Sequence, residues 1–345
     1  MQKIEAIDLF CGVGGLTYGL REAGLTVLAG LDSDETCQHA YTKNSDAEFI
    51  SADIAQYDFS ELEELFSEDS VRVLVGCAPC QPFSSHAHKA KRRENDDRWN
   101  LIEYFIEAVK IVNPSVVSME NVRGLLKTDI FKQFTNSLKA LDYELDYKVV
   151  NCPDYGIPQA RSRLVLIGSK IGKIKIPKAT HKKEEYSTVA DIIRQLPHVE
   201  AGMTCPEDSV HKAKNLFDIN LERIRHSKPK GTWRDWPEAL LPECYRRPSG
   251  ATYSSVYGRM SWNDVSPTIT TQFCNYGSGR FGHPEQDRAL TLREGALLQT
   301  FPIDYDFGEN FPIATLSRHI GNAVPPRLGQ VIGMAIKEHI NEHAQ

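Results

Sequence analysis

The first half of the chain alternates short apolar runs with amphipathic segments, and this alternation constrains the fold more than any other feature. The apolar runs have the length of buried strands and lie at residues 4–10, 26–31, 71–75 and 115–119. Helical patterns follow most of them, at residues 16–23, 35–42 and 101–112. Such alternation is typical of an α/β fold, in which a parallel sheet carries helices on both faces.

Two further strands are predicted at residues 144–150 and 163–169, with Gly156-Ile157-Pro158 between them. We expect them to form an antiparallel addition at one edge of the sheet. From about 172 to 282 the helical period weakens and prolines and glycines are frequent, which indicates a smaller domain of loops and short strands.

Helical patterning returns at residues 292–299 and 327–343. If the last helix packs on the first domain, that domain is discontinuous. The predicted bounds are 1–170 with 284–345 for the larger domain and 171–283 for the smaller one.

The composition is ordinary for a soluble globular protein, with 345 residues, 41% hydrophobic and 25% charged. No apolar run reaches the length of a membrane span, and the N-terminus does not resemble a signal peptide. The eight cysteines are scattered, which favours a reducing cytosol. Cys77 and Cys80 form a C-x-x-C, but no second ligand pair completes a zinc site, and we expect no metal.

Charge is distributed unevenly along the chain, although the formal net charge is only −6. Residues 159–259 hold 19 Lys and Arg against 11 Asp and Glu, and the remainder holds 21 against 35. A basic insert on an acidic body suits a protein that contacts nucleic acid with one face. The alternative is a solvated lysine-rich surface, as at residues 170–184.

Cys80 lies on a loop directly after the apolar run at 71–75, in Gly76-Cys77-Ala78-Pro79-Cys80-Gln81-Pro82-Phe83-Ser84. Pro79 and Pro82 restrict the backbone on both sides of the thiol. Loops at the carboxyl ends of parallel strands are where open α/β sheets bind their ligands. Cys80 is therefore a candidate nucleophile.

A glycine turn, Gly12-Val13-Gly14-Gly15, follows the first predicted strand and opens a helix. Its glycines allow a sharp turn and close approach of a ligand, but it lacks the full G-x-G-x-x-G spacing. Asp32 follows the second strand, 20 residues after Gly12, where an acid can accept from ribose hydroxyls. By itself this does not distinguish NAD from S-adenosylmethionine, and Asp32 could instead cap the next helix.

Five motifs, taken in order and spacing, resemble those of the DNA (cytosine-5)-methyltransferase family of bacterial or phage restriction–modification type. The resemblance covers roughly residues 4–168 and 283–335. The motifs are the segment 8–16, Pro79-Cys80-Gln81, Glu120-Asn121-Val122, Gln159-Ala160-Arg161-Ser162-Arg163 and Gly321-Asn322-Ala323-Val324-Pro325-Pro326. The resemblance implies a Rossmann-like S-adenosylmethionine-dependent methyltransferase sheet, with residues 171–283 as the target-recognition domain.

The resemblance also implies a cofactor site for S-adenosyl-L-methionine. Phe10 would stack on the adenine, Asp32 would bind the ribose and Asp53 the adenine edge. The full set of cofactor residues that it implies is Phe10, Gly12, Val13, Gly15, Asp32, Ser33, Asp53, Ile54, Pro79, Leu101, Asn322 and Val324.

The chemistry implied is transfer of a methyl group to C5 of cytosine. Addition of the Cys80 thiolate to C6 makes C5 nucleophilic, and C5 then takes the sulfonium methyl and loses its proton as the thiolate leaves. Glu120 would act at N3 and Arg163 at the O2 carbonyl, with Arg161 in local positioning or phosphate contact. Read without the family, Glu120 could be a surface carboxylate and the arginines a surface pair.

The resemblance implies double-stranded DNA as substrate, with the target base flipped out of the helix. The basic stretch at residues 85–97 would close over it, although His86-Ala87-His88 stands where many members have glycines. DNA contacts are expected from basic residues of the insert, namely Arg223, Arg225, Lys228, Lys230, Arg234, Arg246 and Arg247.

The biological expectation is a monomer in the prokaryotic cytosol or nucleoid that protects host DNA, with a cognate restriction endonuclease as a genetic partner. Three alternatives remain at this point. One is a transfer-RNA cytosine-5 methyltransferase, although the short Cys-Phe-Thr signature of that branch is missing. The others are a regulator that binds DNA without catalysis, and an NAD-dependent oxidoreductase.

Overall fold

The computed structural model of the protein describes residues 2–79, 101–247, 250, 252, 255–309 and 311–343. Its strands, in chain order, are β1 Ile4–Leu9, β2 Thr26–Asp32, β3 Glu48–Ser51, β4 Val71–Gly76, β5 Val116–Val122, β6 Glu144–Asn151, β7 Gln159–Ala160, β8 Ser162–Ser169, β9 Thr204–Cys205, β10 Asp208–Lys212 and β11 Ser266–Pro267. Its helices are α1 Gly15–Glu22, α2 Gln38–Asn44, α3 Ser60–Glu64, α4 Leu101–Val112, α5 Asp129–Ala140, α6 Val189–Ile193, α7 Asp218–His226, α8 Glu243–Arg246, α9 Leu292–Leu298, α10 Ile313–Asn322 and α11 Pro326–His343.

Within the described residues, seven strands form one sheet in the order β3-β2-β1-β4-β5-β8-β6. The first five of these run parallel to one another, whereas β8 pairs antiparallel with both β5 and β6. The predicted α/β sheet and its antiparallel edge are thus confirmed. The carboxyl ends of β1, β2, β4 and β5 meet at one edge, which is where ligands bind in such sheets.

Helices cover both faces of this sheet. On one face α3, α4 and α5 pack on the apolar side chains of β1, β4 and β5 in a buried cluster that includes Leu74, Phe105 and Phe134. On the other face α1 and α2 contact the sheet through Thr17 and Tyr41, and α11 contacts β8 through a hydrogen bond between His339 and Ser169. Because helices cover both faces of the sheet, the sequences of its central strands are mostly apolar rather than alternating.

Helices α1 and α11 pack at unusually close range because glycine lies at the contact. A Cβ on Gly19 would stand 2.1 Å from the carbonyl oxygen of Pro326 and 2.4 Å from the amide nitrogen of Gln330. A Cβ on Gly329 would stand 2.8 Å from the carbonyl oxygen of Leu16. This contact joins the end of the chain to the helix that follows the glycine turn.

The chain divides into two compact units, within each of which most of the contacts between residues are made. The first contains residues 1–155, 162–180 and 324–345, and the second contains 156–161 and 181–323. The division at residues 323 and 324 falls later than residue 284, where we predicted that the larger domain resumes. The functional division at 1–170, 171–283 and 284–345 stays a prediction.

Buried ion pairs with arginine organise the second unit. Arg288 is fully buried and donates from both terminal nitrogens to the carboxylate of Glu294, at 2.7 and 2.8 Å. Arg259, also buried, donates to the carbonyls of Ser227 and Ile224 and pairs with Asp287. Polar networks of this kind fix loop positions where regular secondary structure is sparse.

Several of the basic residues predicted to contact DNA have partners inside the second unit. Arg223 donates to the carbonyl of Leu240 and lies over the ring of Trp236. Lys230 forms an ion pair with Asp264, at 2.8 Å. Their roles toward DNA stay predictions. Among the residues that the structure describes, no helix combines the length and hydrophobicity needed to cross a membrane.

Candidate active site

Three side chains meet at the carboxyl edge of the sheet, from the ends of β4, β5 and β8. Glu120 lies on β5 with its side chain 2% exposed, and the Cys77 thiol, just past β4, donates to its Oε2 at 3.0 Å. Arg163 Nε, from β8, lies 3.0 Å from Oε1 of the same carboxylate. The antiparallel pairing of β5 with β8 brings the arginine to this carboxylate.

The two oxygens of Glu120 differ in their environment. Oε2 is occupied by the Cys77 thiol. Oε1 is buried beside Arg163 at ion-pair distance, but it has no aligned hydrogen bond from any residue that the structure describes. A buried oxygen without a hydrogen bond is costly, and such atoms occur at sites that receive a ligand. Oε1 therefore remains able to bond a ligand.

The loop after β4 is held against β5 by the residue next to Glu120. Asn121, 1% exposed, donates its side-chain amide to the carbonyl of Ala78, at 3.1 Å. The loop is described as far as Pro79, which is exposed. The predicted nucleophile, Cys80, and the predicted closing stretch at 85–97 lie outside the described residues. Glu120 thus lies beside the segment that leads into Cys80.

The glycine turn after β1 has an unusual backbone that glycine alone adopts easily. Phe10, Gly12 and Gly14 have φ values of 61°, 51° and 84°. A Cβ on Gly12 would meet nothing within 4 Å, so this backbone faces open space. Gly15 then begins α1 without a side-chain cap. The turn leaves room for a ligand to approach the backbone at the start of a helix.

Asp32, at the end of β2, is hydrogen-bonded to the backbone of the glycine turn. The backbone N–H of Gly12 donates to its Oδ2 at 2.8 Å, and that of Asp34 donates to its Oδ1 at 2.9 Å. Burial raises the pKa of Asp32, while these backbone donors oppose the rise. Each oxygen keeps a second lone pair, so the carboxylate could still accept from two hydroxyls.

The remaining predicted cofactor residues are spread over several segments. Asp53 is exposed after β3 and accepts from the N–H of Ala55, whereas Ile54 is buried. Ser33 is exposed next to Asp32, and Leu101 is half-buried in α4. Val13 is buried in the glycine turn.

The last two predicted cofactor residues lie near the C-terminal end of the chain. Asn322 is the exposed last residue of α10, and Val324 is buried just before α11. Asn322 belongs to the second unit and Val324 to the first, so the unit boundary runs through the predicted motif.

Comparison with known proteins identifies this arrangement. Residues 4–338 match the family described as C-5 cytosine-specific DNA methylase. This chain belongs to that family. It is a DNA (cytosine-5)-methyltransferase, and its cofactor is S-adenosyl-L-methionine.

Individual relatives of the methyltransferase cover nearly its whole length. The Type II methylase M.HgiDII of Herpetosiphon aurantiacus is 50% identical over 97% of this chain and 95% of its own. The Type II methyltransferase M1.HphI of Haemophilus parahaemolyticus is 33% identical over 99% of this chain and 88% of its own length. A prophage-encoded E. coli structure, described as a DNA modification methyltransferase, has a TM-score of 0.75 at 23% identity and covers 98% of this chain and 99% of its own.

The open space at Gly12 leaves room for the methionine portion of the methyltransferase cofactor, and the Asp32 carboxylate has lone pairs that could accept from ribose hydroxyls, as predicted for each. Both features are in the first compact unit, at the adjoining ends of β1 and β2. The backbone N–H of Gly12 is already used to hold Asp32, so the turn positions the carboxylate as well as leaving space.

Arg161 and Arg163, two residues apart in the methyltransferase motif, have different surroundings. Arg161 is 3% exposed in the second unit and donates to the carbonyls of Ile269 and Ala323, each at 3.2 Å. Those bonds fix the guanidinium within the second unit, and its role toward the base or a phosphate stays a prediction. Gln159 joins the same unit by donating to the side-chain oxygen of Gln299, at 2.8 Å.

Sequence reasoning missed two features of the methyltransferase site. The sequence indicates Cys77 only as half of a C-x-x-C, and nothing in its spacing predicts a bond to Glu120. The second feature is Asp8, buried beneath the glycine turn, which accepts from the Thr17 hydroxyl at 2.8 Å. Its other oxygen has no hydrogen-bond partner among the described residues. A carboxylate near the end of a predicted buried strand, three residues after Glu5, is the signal that could have revealed it.

Proposed function

We propose that this methyltransferase modifies C5 of cytosine within a specific sequence of double-stranded DNA, through a covalent bond between Cys80 and C6 of a flipped base. The observation that carries the proposal is the buried Oε1 of Glu120, which lies beside Arg163 and has no hydrogen bond from a described residue. A base that enters there can supply the missing partner. Cys80 follows three residues after Cys77, which contacts the same carboxylate.

In the proposed reaction each residue handles one part of the charge. The Cys80 thiolate forms a bond to C6, and Glu120 supplies a proton at N3 as electron density moves into the ring. Arg163 donates to the O2 carbonyl and also balances the negative charge that Glu120 acquires as its proton leaves. S-adenosyl-L-methionine supplies an electrophilic methyl group for C5. Loss of the C5 proton to a water molecule and return of the N3 proton to Glu120 then restore the ring and release the thiolate.

The proposed cofactor contacts follow from the ends of β1, β2 and β3. Asp32 accepts from the ribose, Asp53 accepts from the adenine amino group and Phe10 stacks on the adenine. Gly12, Val13 and Gly15 line the methionine end. Ser33, Ile54, Pro79, Leu101, Asn322 and Val324 complete the pocket.

The proposed biological role is protection of host DNA in a restriction–modification system. It is supported by the Type II relatives, one of them 50% identical. Residues 171–283 would read the target sequence, the protein would act as a monomer in the cytoplasm, and a cognate endonuclease would be its genetic partner.

Transfer of labelled methyl from S-adenosyl-L-methionine to duplex DNA and to transfer RNA, in parallel, tests the proposal. The DNA should come from a host that lacks cytosine methylation, so that any recognition site is available. We expect label on duplex DNA only, as 5-methylcytosine at one sequence, and none with Cys80→Ala. Label on transfer RNA alone, or full activity of Cys80→Ala, would reject it.

A further inference from the structure

The contact between Cys77 and Glu120 lies outside the roles assigned above. The Cys77 thiol donates to Oε2 of Glu120 at 3.0 Å, and the carboxylate is almost fully buried. Cys77 itself is half-buried, so its thiol lies at the margin of the site. A thiol is a weak donor, but a bond to a buried carboxylate is strengthened by the charge and by the low surrounding polarity.

The backbone on both sides of this contact is tightly held. A Cβ on Gly76 would stand 2.7 Å from the carbonyl oxygen of Leu9, so β4 lies against β1 with no space for a side chain there. The N–H of Cys77 donates to that same carbonyl at 3.3 Å, and Asn121 holds the carbonyl of Ala78. The thiol and the carboxylate therefore face each other from two fixed strand ends.

The bond determines which oxygen of Glu120 is available to a base. Arg163 attracts the carboxylate through Oε1 but without hydrogen-bond alignment, so it does not by itself fix the rotation of the group. The thiol on Oε2 supplies the second point of attachment. With both in place, Oε1 stays directed at one position.

We propose that Cys77 is a positioning residue for Glu120, which holds Oε2 so that Oε1 meets N3 of the target cytosine. The inference rests on the proposed role of Glu120 and adds a residue to it. Loss of the thiol would let the carboxylate rotate, and the rate of methyl transfer would fall while cofactor binding is unchanged, because Asp32 and the glycine turn are untouched.

The experiment compares Cys77→Ala with Cys77→Ser, whose hydroxyl can donate to the same oxygen. Cys205→Ala is the matched control, because the Cys205 thiol also donates to a glutamate, Glu207, at 3.1 Å, but in the second unit. The readouts are the single-turnover rate of methyl transfer to unmethylated genomic DNA, the calorimetric Kd for S-adenosyl-L-methionine and the melting temperature.

We expect Cys77→Ala to slow the single-turnover step about tenfold, as for loss of one hydrogen bond to a charged group. Cys77→Ser should stay near the wild-type rate, as should Cys205→Ala, and the cofactor Kd should not change. A wild-type rate for Cys77→Ala would overturn the inference. Equal slowing by Cys77→Ala and Cys77→Ser would overturn it too, since the Cys77 side chain would then act only through packing. If Cys77→Ala does not fold, Cys77→Val replaces it in the same comparison.

Glu120→Gln in the same assay separates this inference from the proposed function. If Glu120→Gln keeps the wild-type rate, the proposed role of Glu120 fails, and the inference fails with it. If Glu120→Gln is slow and Cys77→Ala is not, only the inference about Cys77 fails. Adding Cys77→Ala to Glu120→Gln should cause no further loss, because the two side chains act as one unit.

Discussion

At the scale of single residues, the site depends on carboxylates whose oxygens are bound unequally. Asp32 is held by two backbone donors and keeps lone pairs for a ligand, whereas Glu120 keeps one oxygen without an aligned hydrogen bond. In each case the protein fixes the orientation of the carboxylate and leaves part of its hydrogen-bonding capacity to substrate or cofactor. Fixed groups of this kind reduce the reorganisation needed in the transition state.

Asp32→Ala should weaken binding of S-adenosyl-L-methionine about 10- to 100-fold, because hydrogen bonds to a charged acceptor are lost. It also removes the acceptor that holds the N–H of Gly12. Calorimetry measures the effect, with the exposed Asp69→Ala as control for the change of charge. An unchanged dissociation constant would rule out the ribose contact.

Asp8 makes the stability of the protein depend on pH in a defined direction. Burial raises the pKa of Asp8 to about 7, against about 4 for an unperturbed aspartate. Between these values the folded protein keeps a proton that the unfolded chain releases. This contribution to the free energy of unfolding therefore falls as pH rises from about 4 to about 7 and then stays constant.

Asp8→Asn removes this contribution. The melting temperature of Asp8→Asn minus that of the wild type should become more positive as pH rises through this window. Scanning fluorimetry at a series of pH values measures the difference. A difference that stays constant across the window would mean that Asp8 is ionised in the folded protein throughout.

At the scale of secondary-structure elements, the packing of α1 on α11 links the cofactor turn to the end of the chain. Helix α1 begins at Gly15, in the glycine turn, and α11 begins two residues after Val324. Since Gly19 and Gly329 let the two backbones meet, the position of α11 is fixed relative to that turn.

Gly19→Ala should destabilise the protein by about 1–3 kcal/mol, because its methyl group would overlap the backbone of α11. Glu22→Ala, at an exposed position of the same helix, should have little effect. Denaturant unfolding of both variants measures the difference. Equal stability of Gly19→Ala and wild type would show that the helices can separate at no cost.

Most of the sheet was predictable at this scale because its strands are buried on both faces and carry distinct apolar runs. Helix α4 ends at the predicted residue, Val112, since its apolar period is strong. The predicted helix at 35–42 instead begins as a 3-10 turn at Glu35–Cys37, where Asp34 accepts from the N–H of Thr36. Local capping of this kind competes with the helix and is not visible in the apolar period.

Contacts between side chains that are far apart in the sequence were less predictable than the secondary-structure elements. The motifs indicated Glu120 and Arg163, but the bond from Cys77 depends on the register of β4 against β5, which places Gly76 opposite Met119. The partners of Arg223 and Lys230 likewise follow from loop packing in the second unit, which has no sequence period.

At the scale of the whole molecule, binding to DNA must overcome a net charge of −6. The basic excess lies in residues 159–259, although part of it is paired internally. Lys228 is exposed and has no ion pair with another described residue, so it is available to a phosphate. Binding should therefore depend strongly on salt and on a small number of such side chains.

Lys228→Ala should reduce the slope of log Kd against log salt by about 0.9, the value for one lost phosphate contact. Lys43→Ala, at an exposed position of α2 in the first unit, is the control and should leave the slope unchanged. Fluorescence anisotropy with a duplex, at a series of salt concentrations, measures both. Identical slopes for Lys228→Ala and wild type would exclude that contact.

The covalent bond between Cys80 and the target base is the central claim, and a trapped adduct tests it most directly. Duplex DNA in which 5-fluorocytosine replaces cytosine has no C5 proton to lose after methyl transfer, so the thiolate cannot be expelled. With S-adenosyl-L-methionine present, we predict a stable protein–DNA adduct whose linked residue, by mass spectrometry, is Cys80. No adduct with DNA that carries the mapped site, or an adduct at Cys77, would contradict the account.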